Sequence, residues 1–270
     1  MTVTVSSLHL YPVKSLGGIS MDHCWLGKAG FSYDRAWMAV KPGGRFITQR
    51  IYPQMALVQA SISDGQLVLD CFGMDSHTVP VTSEVMSPCP TEVWGDAVQA
   101  LDVGNETAEW LSQAIGEECR LVAFPDSSVR PCDPELSKPG DHTLFADAFP
   151  LLIVSQASLD DLNKRLTQPV TMNRFRPNIV IDGCQAFAED DWLKIKINGV
   201  SIRVVDHCAR CSVPTIDPDN GTIAGPEPIH TLSSYRQRDG EIYFGVNATA
   251  EIEGEITVGD TVIIIRSGSV

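Results

Sequence analysis

Two cysteines stand three positions apart where the sequence reads His207-Cys208-Ala209-Arg210-Cys211. Such a pair can form a redox disulfide, supply two ligands of a zinc site, or leave one thiolate to bind another metal. A structural zinc site needs four ligands, and the sequence has no second Cys or His pair at matching spacing. Pro214 argues against the helix that a thioredoxin-like pair begins. Arg210 would favour the thiolate form of Cys211, which is the form that binds metals. The spacing alone leaves an ordinary reduced pair and a metal-binding thiolate both open.

Basic residues collect in three short segments of an otherwise acidic chain. These segments are Tyr11-Pro12-Val13-Lys14-Ser15, Tyr33-Asp34-Arg35 and Asn173-Arg174-Phe175-Arg176-Pro177-Asn178. Each lies near a predicted strand or turn, and Arg176 precedes a proline, which predicts an extended backbone. A single basic residue is more often a surface charge than a ligand contact. Brought together by the fold, the three segments would form a pocket for a phosphate or a pterin-type ligand.

A further acidic segment, Asp217-Pro218-Asp219-Asn220-Gly221, has part of the spacing of a calcium loop. Pro228 stands where the bidentate Glu of such a loop would be. Asp, Pro, Asn and Gly are the residues that favour turns. The segment therefore predicts a turn and not a calcium site.

Charge and composition exclude several classes of partner. The 270 residues carry 34 acidic against 20 basic side chains, so the net charge is -14. Binding to nucleic acid or to an anionic membrane surface needs a basic face, so we expect neither partner. The N-terminus lacks the pattern of an export signal, and no stretch approaches the ~18–20 apolar residues of a membrane-spanning helix. We expect a cytoplasmic protein whose six other cysteines are reduced thiols.

The elements that must position these residues are mostly strands. Alternation and β-branched runs predict strands at residues 2–10, 54–63, 66–71, 98–103, 151–154, 178–181, 193–197, 200–205, 241–246 and 261–266. Asp64-Gly65 and Asn198-Gly199 are predicted to form tight turns. Helices are predicted at residues 106–115 and 156–166, capped by Asn105 and Ser155, with Gly116 ending the first.

Four prolines fall between residues 125 and 141, so we expect a long loop and a domain boundary there. Residues 1–125 would form an N-terminal β-rich domain, and residues 126–270 a second domain. The expected fold class is α+β and β-rich, with a barrel-like arrangement of the strands.

Six short segments, taken in this order, resemble the MOSC family, which is named for the C-terminal domain of molybdenum-cofactor sulfurase. The likeness runs from about Leu8 to Val262 and is to the YcbX-type proteins and the mitochondrial amidoxime-reducing component in particular. The six segments are Tyr11-Pro12-Val13-Lys14-Ser15, Tyr33-Asp34-Arg35, Thr91-Glu92-Val93-Trp94-Gly95, Phe145-Ala146-Asp147, Arg174-Phe175-Arg176-Pro177-Asn178 and Cys208-Ala209-Arg210-Cys211.

The resemblance implies a MOSC-type β-barrel preceded by a β-rich MOSC N-terminal domain, with molybdopterin in the cleft between them. It implies that Cys211 is the thiolate on molybdenum and that Asp147 is a catalytic residue. It also implies that the remaining residues of the matching segments bind the cofactor, namely Lys14, Ser15, Arg35, Arg176, Asn178 and Arg210.

Two departures from the family pattern matter. Ala148 and Phe149 follow Asp147, where the mitochondrial relatives have small hydroxyl residues, which puts hydroxyl contacts there in doubt. The chain also reaches Val270 without the cysteine cluster of the ferredoxin-like domain found in several YcbX-type proteins. We therefore expect electrons from a separate donor, a ferredoxin or a flavoprotein reductase, whether the chain is naturally short or a fragment.

The function expected from the resemblance is reduction of small N-hydroxylated compounds, such as hydroxylamine-type bases and amidoximes, by a molybdenum-cofactor oxidoreductase. Two other interpretations remain. The chain could carry a molybdenum cofactor or a persulfide sulfur on Cys211, or it could be a binding module without catalysis.

Overall fold

The structure, a computed structural model, describes residues 2–82 and 86–266, and strands make up most of their regular structure. In those residues the strands are β1 (Thr4–Leu10), β2 (Val13–Lys14), β3 (Ile19–Met21), β4 (His23–Gly27), β5 (Gly30–Phe31), β6 (Trp37–Val40), β7 (Gln59–Ser63), β8 (Gln66–Asp70), β9 (His77–Pro80), β10 (Ser87–Val93), β11 (Asp96–Asp102), β12 (Arg120–Ala123), β13 (Arg130–Pro131), β14 (His142–Thr143), β15 (Leu151–Ser155), β16 (Ile179–Asp182), β17 (Trp192–Ile197), β18 (Val200–Ala209), β19 (Ile216–Asp217), β20 (Thr222–Ile223), β21 (Gln237–Arg238), β22 (Glu241–Ile252), β23 (Gly254–Thr257) and β24 (Val262–Arg266). The β-rich α+β class predicted from the sequence is confirmed.

Helices are fewer and lie outside the sheets. Within the described ranges they are α1 (Asn105–Ile115), α2 (Gln156–Arg165) and α3 (Ile229–Arg236), with short 3₁₀ turns at Pro53–Leu57, Met172–Arg174, Ala188–Asp191 and Val213–Thr215. None of the helices in this part of the chain combines the length and the apolar character that crossing a membrane requires.

The largest sheet curls until its ends approach each other. Across the described residues its order is β24-β17-β18-β22-β15-β16-β1-β3, with β21 paired to β22. The backbone N–H of Val5 donates to Asp260 O at 2.9 Å, and that of Val262 donates to Val3 O at 2.8 Å. These bonds join β1 to the chain at the start of β24. The curled sheet encloses an apolar core that includes Leu8, Leu26, Ile153, Ile195 and Val246.

One parallel pair in this sheet brings a predicted site segment into place. β15 and β16 are parallel, and α2 forms the crossover between them, as parallel strands require. The Ser155 hydroxyl accepts a hydrogen bond from Ser158 N at 3.1 Å, so Ser155 caps α2 as predicted. The return from α2 to β16 passes through residues 173–178. These residues therefore lie where the chain re-enters the sheet.

The N-terminal part contains a second sheet, in the order β10-β11-β12-β6-β2. Its short strand β2 is parallel to β6, with Lys14 opposite Met38. The helix α1 and the hairpin strands β7 to β9 close a separate apolar core, which includes Trp37, Leu67, Leu69, Leu111 and Leu121. Lys14 thus ends a buried strand at the edge of this sheet.

Strands from the two halves of the sequence pair with each other in the same sheets. β1 and β3 belong to the large sheet built otherwise from residues beyond 150, and β4 pairs with β23 near the C-terminus. The loop that contains the four prolines crosses between the halves with only the short pair β13 and β14. A boundary between residues 125 and 126 remains a prediction.

The tight turns predicted from the sequence are confirmed. Asp64-Gly65 connects β7 to β8 with φ of 50° and 72°, and Asn198-Gly199 connects β17 to β18 with φ of 45° and 82°. Positive φ at both central positions is the type I′ geometry that suits a two-residue hairpin. Gly116 ends α1 in the left-handed conformation at φ 75°, as predicted.

Three local predictions are wrong or incomplete. Residues 54–57 form a 3₁₀ turn opened by Pro53, and the strand begins only at Gln59. Asn105 is the first residue of α1, and Gly104 is the cap, without a side-chain hydrogen bond. β10 was not predicted because it contains Pro88 and Pro90, which an edge strand of a sheet tolerates.

Candidate functional site

One cleft brings together every residue that the sequence predicted for the site. A cavity of about 370 Å³ lies between the end of β2, the residue 145–149 loop, the residue 175–178 loop and the end of β18. The predicted residues that line it are Lys14, Ser15, Arg35, Asp147, Arg176, Asn178, Arg210 and Cys211. The segments that carry them are up to nearly 200 positions apart in the chain. Their convergence is therefore a property of the fold.

Lys14 and Asp147 form an ion pair on one wall of the cleft. The Lys14 side chain is only 5% exposed, and its Nζ donates to Phe145 O at 2.7 Å and to Asp147 Oδ1. Burial lowers the pKa of Lys14, and the Asp147 carboxylate opposes that shift.

The surroundings of the Asp147 carboxylate act on its pKa in opposite directions. The cleft walls around the carboxylate exclude part of its hydration, which would raise that pKa, but the charge and hydrogen bond of Lys14, with the hydrogen bond from Trp94, hold it well below its ordinary value. The side chain of Asp147 is 68% exposed. The carboxylate is thus fixed on one side and open to solvent on the other.

Arg35 and Asn178 are held to each other beneath the cleft. Arg35 Nη1 donates to Asp34 Oδ2 at 2.5 Å and to Asn178 Oδ1 at 3.2 Å, and its Nη2 donates to Arg176 O at 3.2 Å. Asn178 Oδ1 also accepts from Leu152 N at 3.2 Å. Because the Asn178 side chain is 1% exposed and committed to these contacts, it orients Arg35 and the residue 176–178 backbone.

Arg176 is partly buried, and the described residues offer it no carboxylate within 4.0 Å. Its Nη1 donates to Leu16 O at 2.6 Å, and its guanidinium lies 4.3 Å from the ring centroid of Tyr11. Its Nη2 is buried and has no hydrogen-bond partner among the described residues. Burial first, and then the nearby positive charge of Arg35, lower the pKa of Arg176 to about 10.

Three site residues adopt the left-handed backbone conformation that side chains disfavour. Their φ angles are 66° at Ser15, 48° at Arg35 and 55° at Arg176. The extended backbone predicted for Arg176 from the proline that follows is therefore wrong. Ser15 is held in place because Gln49 Nε2 donates to its carbonyl at 2.8 Å. Backbone strain of this kind persists where the surrounding structure enforces it, and it concentrates at functional sites.

The two cysteines of the close pair differ in their surroundings. Cys208 is the penultimate residue of β18, and its Sγ accepts a hydrogen bond from Arg210 Nη1 at 3.1 Å. Burial raises the pKa of the Cys208 thiol, and the charge of Arg210 opposes that shift. Cys211 follows the strand in a loop and is exposed. Arg210 therefore contacts Cys208, whereas the sequence analysis had paired it with Cys211.

The electrostatic balance of the cleft favours an anionic ligand. Lys14 and Arg35 have carboxylate partners, but within residues 2–82 and 86–266 neither Arg176 nor Arg210 has one within 4.0 Å. Arg210 Nε is also buried without a hydrogen-bond partner in that part of the chain. A buried charge without a partner is costly, so these donors suit a ligand that carries phosphate or other anionic groups.

One basic residue of the predicted segments lies elsewhere. Arg174 donates from Nη2 to Asp217 Oδ2 at 3.1 Å and from Nη1 to the carbonyls of Pro214 and Thr215. Residues 218–221 form a turn between β19 and β20, as predicted. Arg174 thus fixes the loop that follows Cys211.

Sequence reasoning missed four residues that build the site. Tyr11 is 4% exposed and lies between the guanidinium groups of Arg35 and Arg176, at 4.5 and 4.3 Å. Asp34 is 3% exposed and accepts from Tyr11 N at 3.0 Å. Both stand in segments that resemble the family, and the acidic residue beside Arg35 was the available signal for Asp34.

Arg130 and Gln49 gave no signal in the sequence. Arg130 is 6% exposed and donates to the carbonyls of Leu144, Ala146 and Asp147, which fixes the loop that carries Asp147. Its position in the proline-rich loop did not indicate burial.

Comparison with protein families finds two matches. Residues 2–118 match the family described as the MOSC N-terminal beta barrel domain, and residues 140–263 match the family described as the MOSC domain.

Known proteins similar to this chain include mitochondrial amidoxime-reducing components. The component 2 protein of Bos taurus is 37% identical over 96% of this chain and 82% of its own length. The component 1 protein of Homo sapiens is 35% identical over 97% of this chain and 83% of its own length. Among solved structures, the YUAD protein from Bacillus subtilis aligns with 97% of this chain and 94% of its own at 12% identity, with a TM-score of 0.45.

Proposed function

Because this chain belongs to the MOSC-domain family that includes the mitochondrial amidoxime-reducing components, we propose that it is a molybdenum-cofactor oxidoreductase that reduces N-hydroxylated compounds. The observation that supports the proposal most strongly is the cleft itself. It combines an exposed cysteine, Cys211, with two arginines that lack carboxylate partners in the described part of the chain, Arg176 and Arg210.

These residues fit a cofactor with an anionic phosphate and a metal that accepts a thiolate. Cys211 would hold the metal, because the thiolate is the form of cysteine that binds metals and this side chain is exposed in the cleft. Lys14, Ser15 and Arg35 would hold the phosphate and adjoining pterin, and Arg176 and Arg210 would bind the rest of the cofactor. Asn178 would act by orienting Arg35.

The bound cofactor would supply a two-electron couple at a metal with an open position. The overall reaction is R–NHOH + 2 electrons + 2 H⁺ → R–NH2 + H2O. The protein's part is to orient the cofactor and the N–OH group and to provide fixed charges around them.

Asp147 is the residue placed to receive the substrate. Its Oδ1 accepts from Lys14 Nζ and from Trp94 Nε1 at 3.1 Å, which leaves Oδ2 to accept a hydrogen bond from the N–OH group. Lys14 Nζ, which donates to Asp147 Oδ1, would place a hydrogen-bond donor beside the same carboxylate. The open face of Asp147 lets water exchange the protons that the reaction consumes.

The electrons would come from a separate donor, a ferredoxin or a flavoprotein reductase. The substrate would be a small molecule, since a chain with net charge -14 disfavours nucleic acid. The cytoplasmic location expected from the sequence stays a prediction, and the relatives named above are called mitochondrial.

An exposed Cys211 also suits a carrier of cofactor or sulfur. A turnover assay separates the two functions. Protein purified from cells that make the cofactor should reduce an amidoxime to the amidine with a chemical electron donor, over many turnovers per chain. Protein from cells grown with tungstate in place of molybdate is the matched control and should be inactive. Product limited to one equivalent per chain would contradict the oxidoreductase proposal and favour the carrier.

A further inference from the structure

A tryptophan occupies a turn position that its side chain disfavours. Val93 pairs with Asp96 across the hairpin of β10 and β11, so Trp94 and Gly95 are the two turn residues. Their φ angles are 54° and 95°. Asn-Gly and Asp-Gly are the pairs that favour such a turn, and a bulky residue at positive φ is an outlier. Trp94 is also 46% exposed, so burial does not offset the strain.

The indole of Trp94 is nevertheless fixed on several sides. Its Nε1 donates to Asp147 Oδ1 at 3.1 Å. The guanidinium of Arg50 lies 4.4 Å from the ring centroid, and the ring of Phe46 meets it edge to face at 5.0 Å. Lys14 Nζ lies 5.9 Å from the same ring. Trp94 therefore joins the hairpin of the N-terminal sheet to the carboxylate at the cleft.

We propose that Trp94 is a positioning residue, which holds the Asp147 carboxylate against Lys14 and turns its free oxygen toward the cleft. Trp94 itself does not line the cavity, so it acts only through Asp147. The strained turn is consistent with this role, because it presents the indole N–H to a carboxylate in another part of the chain. The catalytic consequence rests on the proposed function, whereas the positioning itself does not.

The test must separate the effect of the Trp94 hydrogen bond from that of the basic groups around Asp147 and Lys14. Asp147 faces Lys14 on β2 and Arg50 beyond β6, and Lys14 also faces Arg130 and Arg35. All four basic groups remain when the indole N–H alone is removed. Trp94→Phe removes that N–H and keeps an aromatic ring against Arg50.

Trp110→Phe is the matched control. The indole N–H of Trp110 donates to Asp75 O at 2.8 Å on the N-terminal part, and Trp110 does not line the cleft. Both substitutions remove one indole hydrogen bond, but only one of those bonds reaches Asp147.

The first measurement is the ¹H–¹⁵N spectrum of the indole groups in the purified full chain, which needs no activity. The Trp94 resonance is the one lost in Trp94→Phe. Asp147→Asn should shift this resonance and leave that of Trp110 in place. A Trp94 resonance that stays unchanged in Asp147→Asn would overturn the inference. Because Asp147→Asn keeps Trp94 intact, it decides the matter even where Trp94→Phe fails to fold, with the Trp94 resonance then assigned by elimination from variants of the other four tryptophans.

The second measurement is the pH profile of kcat/KM for amidoxime reduction. Trp94→Phe should lower kcat/KM on the order of tenfold, as loss of a hydrogen bond to a charged group does, and move the acid limb to higher pH. Trp110→Phe should leave both unchanged. An unmoved acid limb in Trp94→Phe contradicts the inference. Wild-type protein without activity would contradict the proposed function, while the indole spectrum would still test the contact.

Discussion

Arg210 donates a hydrogen bond from Nη1 to the Sγ of Cys208 at 3.1 Å, and from Nη2 to Phe175 O at 2.8 Å. The guanidinium therefore joins the end of β18 to the residue 173–178 loop. Cys211, one residue further along the chain, is left exposed in the cleft. The two cysteines of a closely spaced pair have acquired different surroundings.

Substitution of the two cysteines should separate their roles. Cys211→Ser should abolish reduction of an amidoxime and strip molybdenum from the protein, because it removes the proposed thiolate. Cys208→Ser should be milder, since serine can accept the hydrogen bond of Arg210. Turnover and molybdenum per chain measure both effects. Equal losses in the two variants would favour a disulfide or a zinc site.

Arg176 should contribute to cofactor binding and little to the stability of the folded protein. In cofactor-free protein, Arg176→Met should change the free energy of unfolding by less than about 1 kcal/mol. The described residues offer the guanidinium no carboxylate partner, so the cost of burying its charge offsets most of the stability that its contacts contribute. The same variant should lose the cofactor during purification. Denaturant unfolding and pterin content are the measurements, with Arg176→Lys as the control that keeps the charge. Destabilisation by more than about 3 kcal/mol would show that Arg176 is structural.

Asp34, in contrast to Arg176, should contribute strongly to the stability of the folded protein. Asp34→Asn should lower the free energy of unfolding by about 3 kcal/mol, since it leaves the charge of Arg35 buried without its partner. Asn can still accept from Tyr11 N, so the change isolates the charge. Asp161→Asn is the control, because its partner Arg165 is 48% exposed and water can solvate the charge that is left, so its effect should be much smaller. Equal effects in the two variants would contradict this account.

Glu251 should make stability depend on pH below neutrality. Hydrogen bonds from Lys138 and Lys194 lower the pKa of Glu251 to about 2 in the folded protein, from the ordinary value of 4.5. A folded pKa below the unfolded one gives stability that is present above about pH 4.5 and is lost as the pH falls toward 2.

The measurement is the urea midpoint over that range of pH, compared with Glu251→Gln. The variant should be less stable than wild type near neutrality, and the difference should narrow as the pH falls. A difference that stays constant with pH would contradict the assignment to Glu251. Lys138 lies in the proline-rich loop and Glu251 on β22, so Glu251→Gln should also weaken the attachment of that loop to β22.

The sequence predicted ten of the 24 strands in the described residues and eight of the residues that line the cleft, for different reasons. Alternation with period two located β8, in which Leu67 and Leu69 are buried and the residues between and beside them are more exposed. The cleft residues Lys14, Arg35 and Cys211 were found because short segments resemble a family, and not because spacing showed their convergence.

What the sequence could not predict depends on contacts between distant segments. The partner of Arg210 is decided by the bulged end of β18 and the residue 173–178 loop together. Tyr11 lies between two arginines that are 24 and 165 positions further along the chain. The turn at Trp94 breaks the local rule for hairpins, and its contact with Asp147, 53 positions further along the chain, cannot be seen from the sequence.

The central claim is that Cys211 holds the metal of a molybdenum cofactor in this cleft. The most direct test is molybdenum and pterin content per chain, measured on protein purified from cells that make the cofactor. We predict about one molybdenum and one pterin for wild type, and pterin with little molybdenum for Cys211→Ser. Wild-type protein that carries neither molybdenum nor pterin would contradict the account.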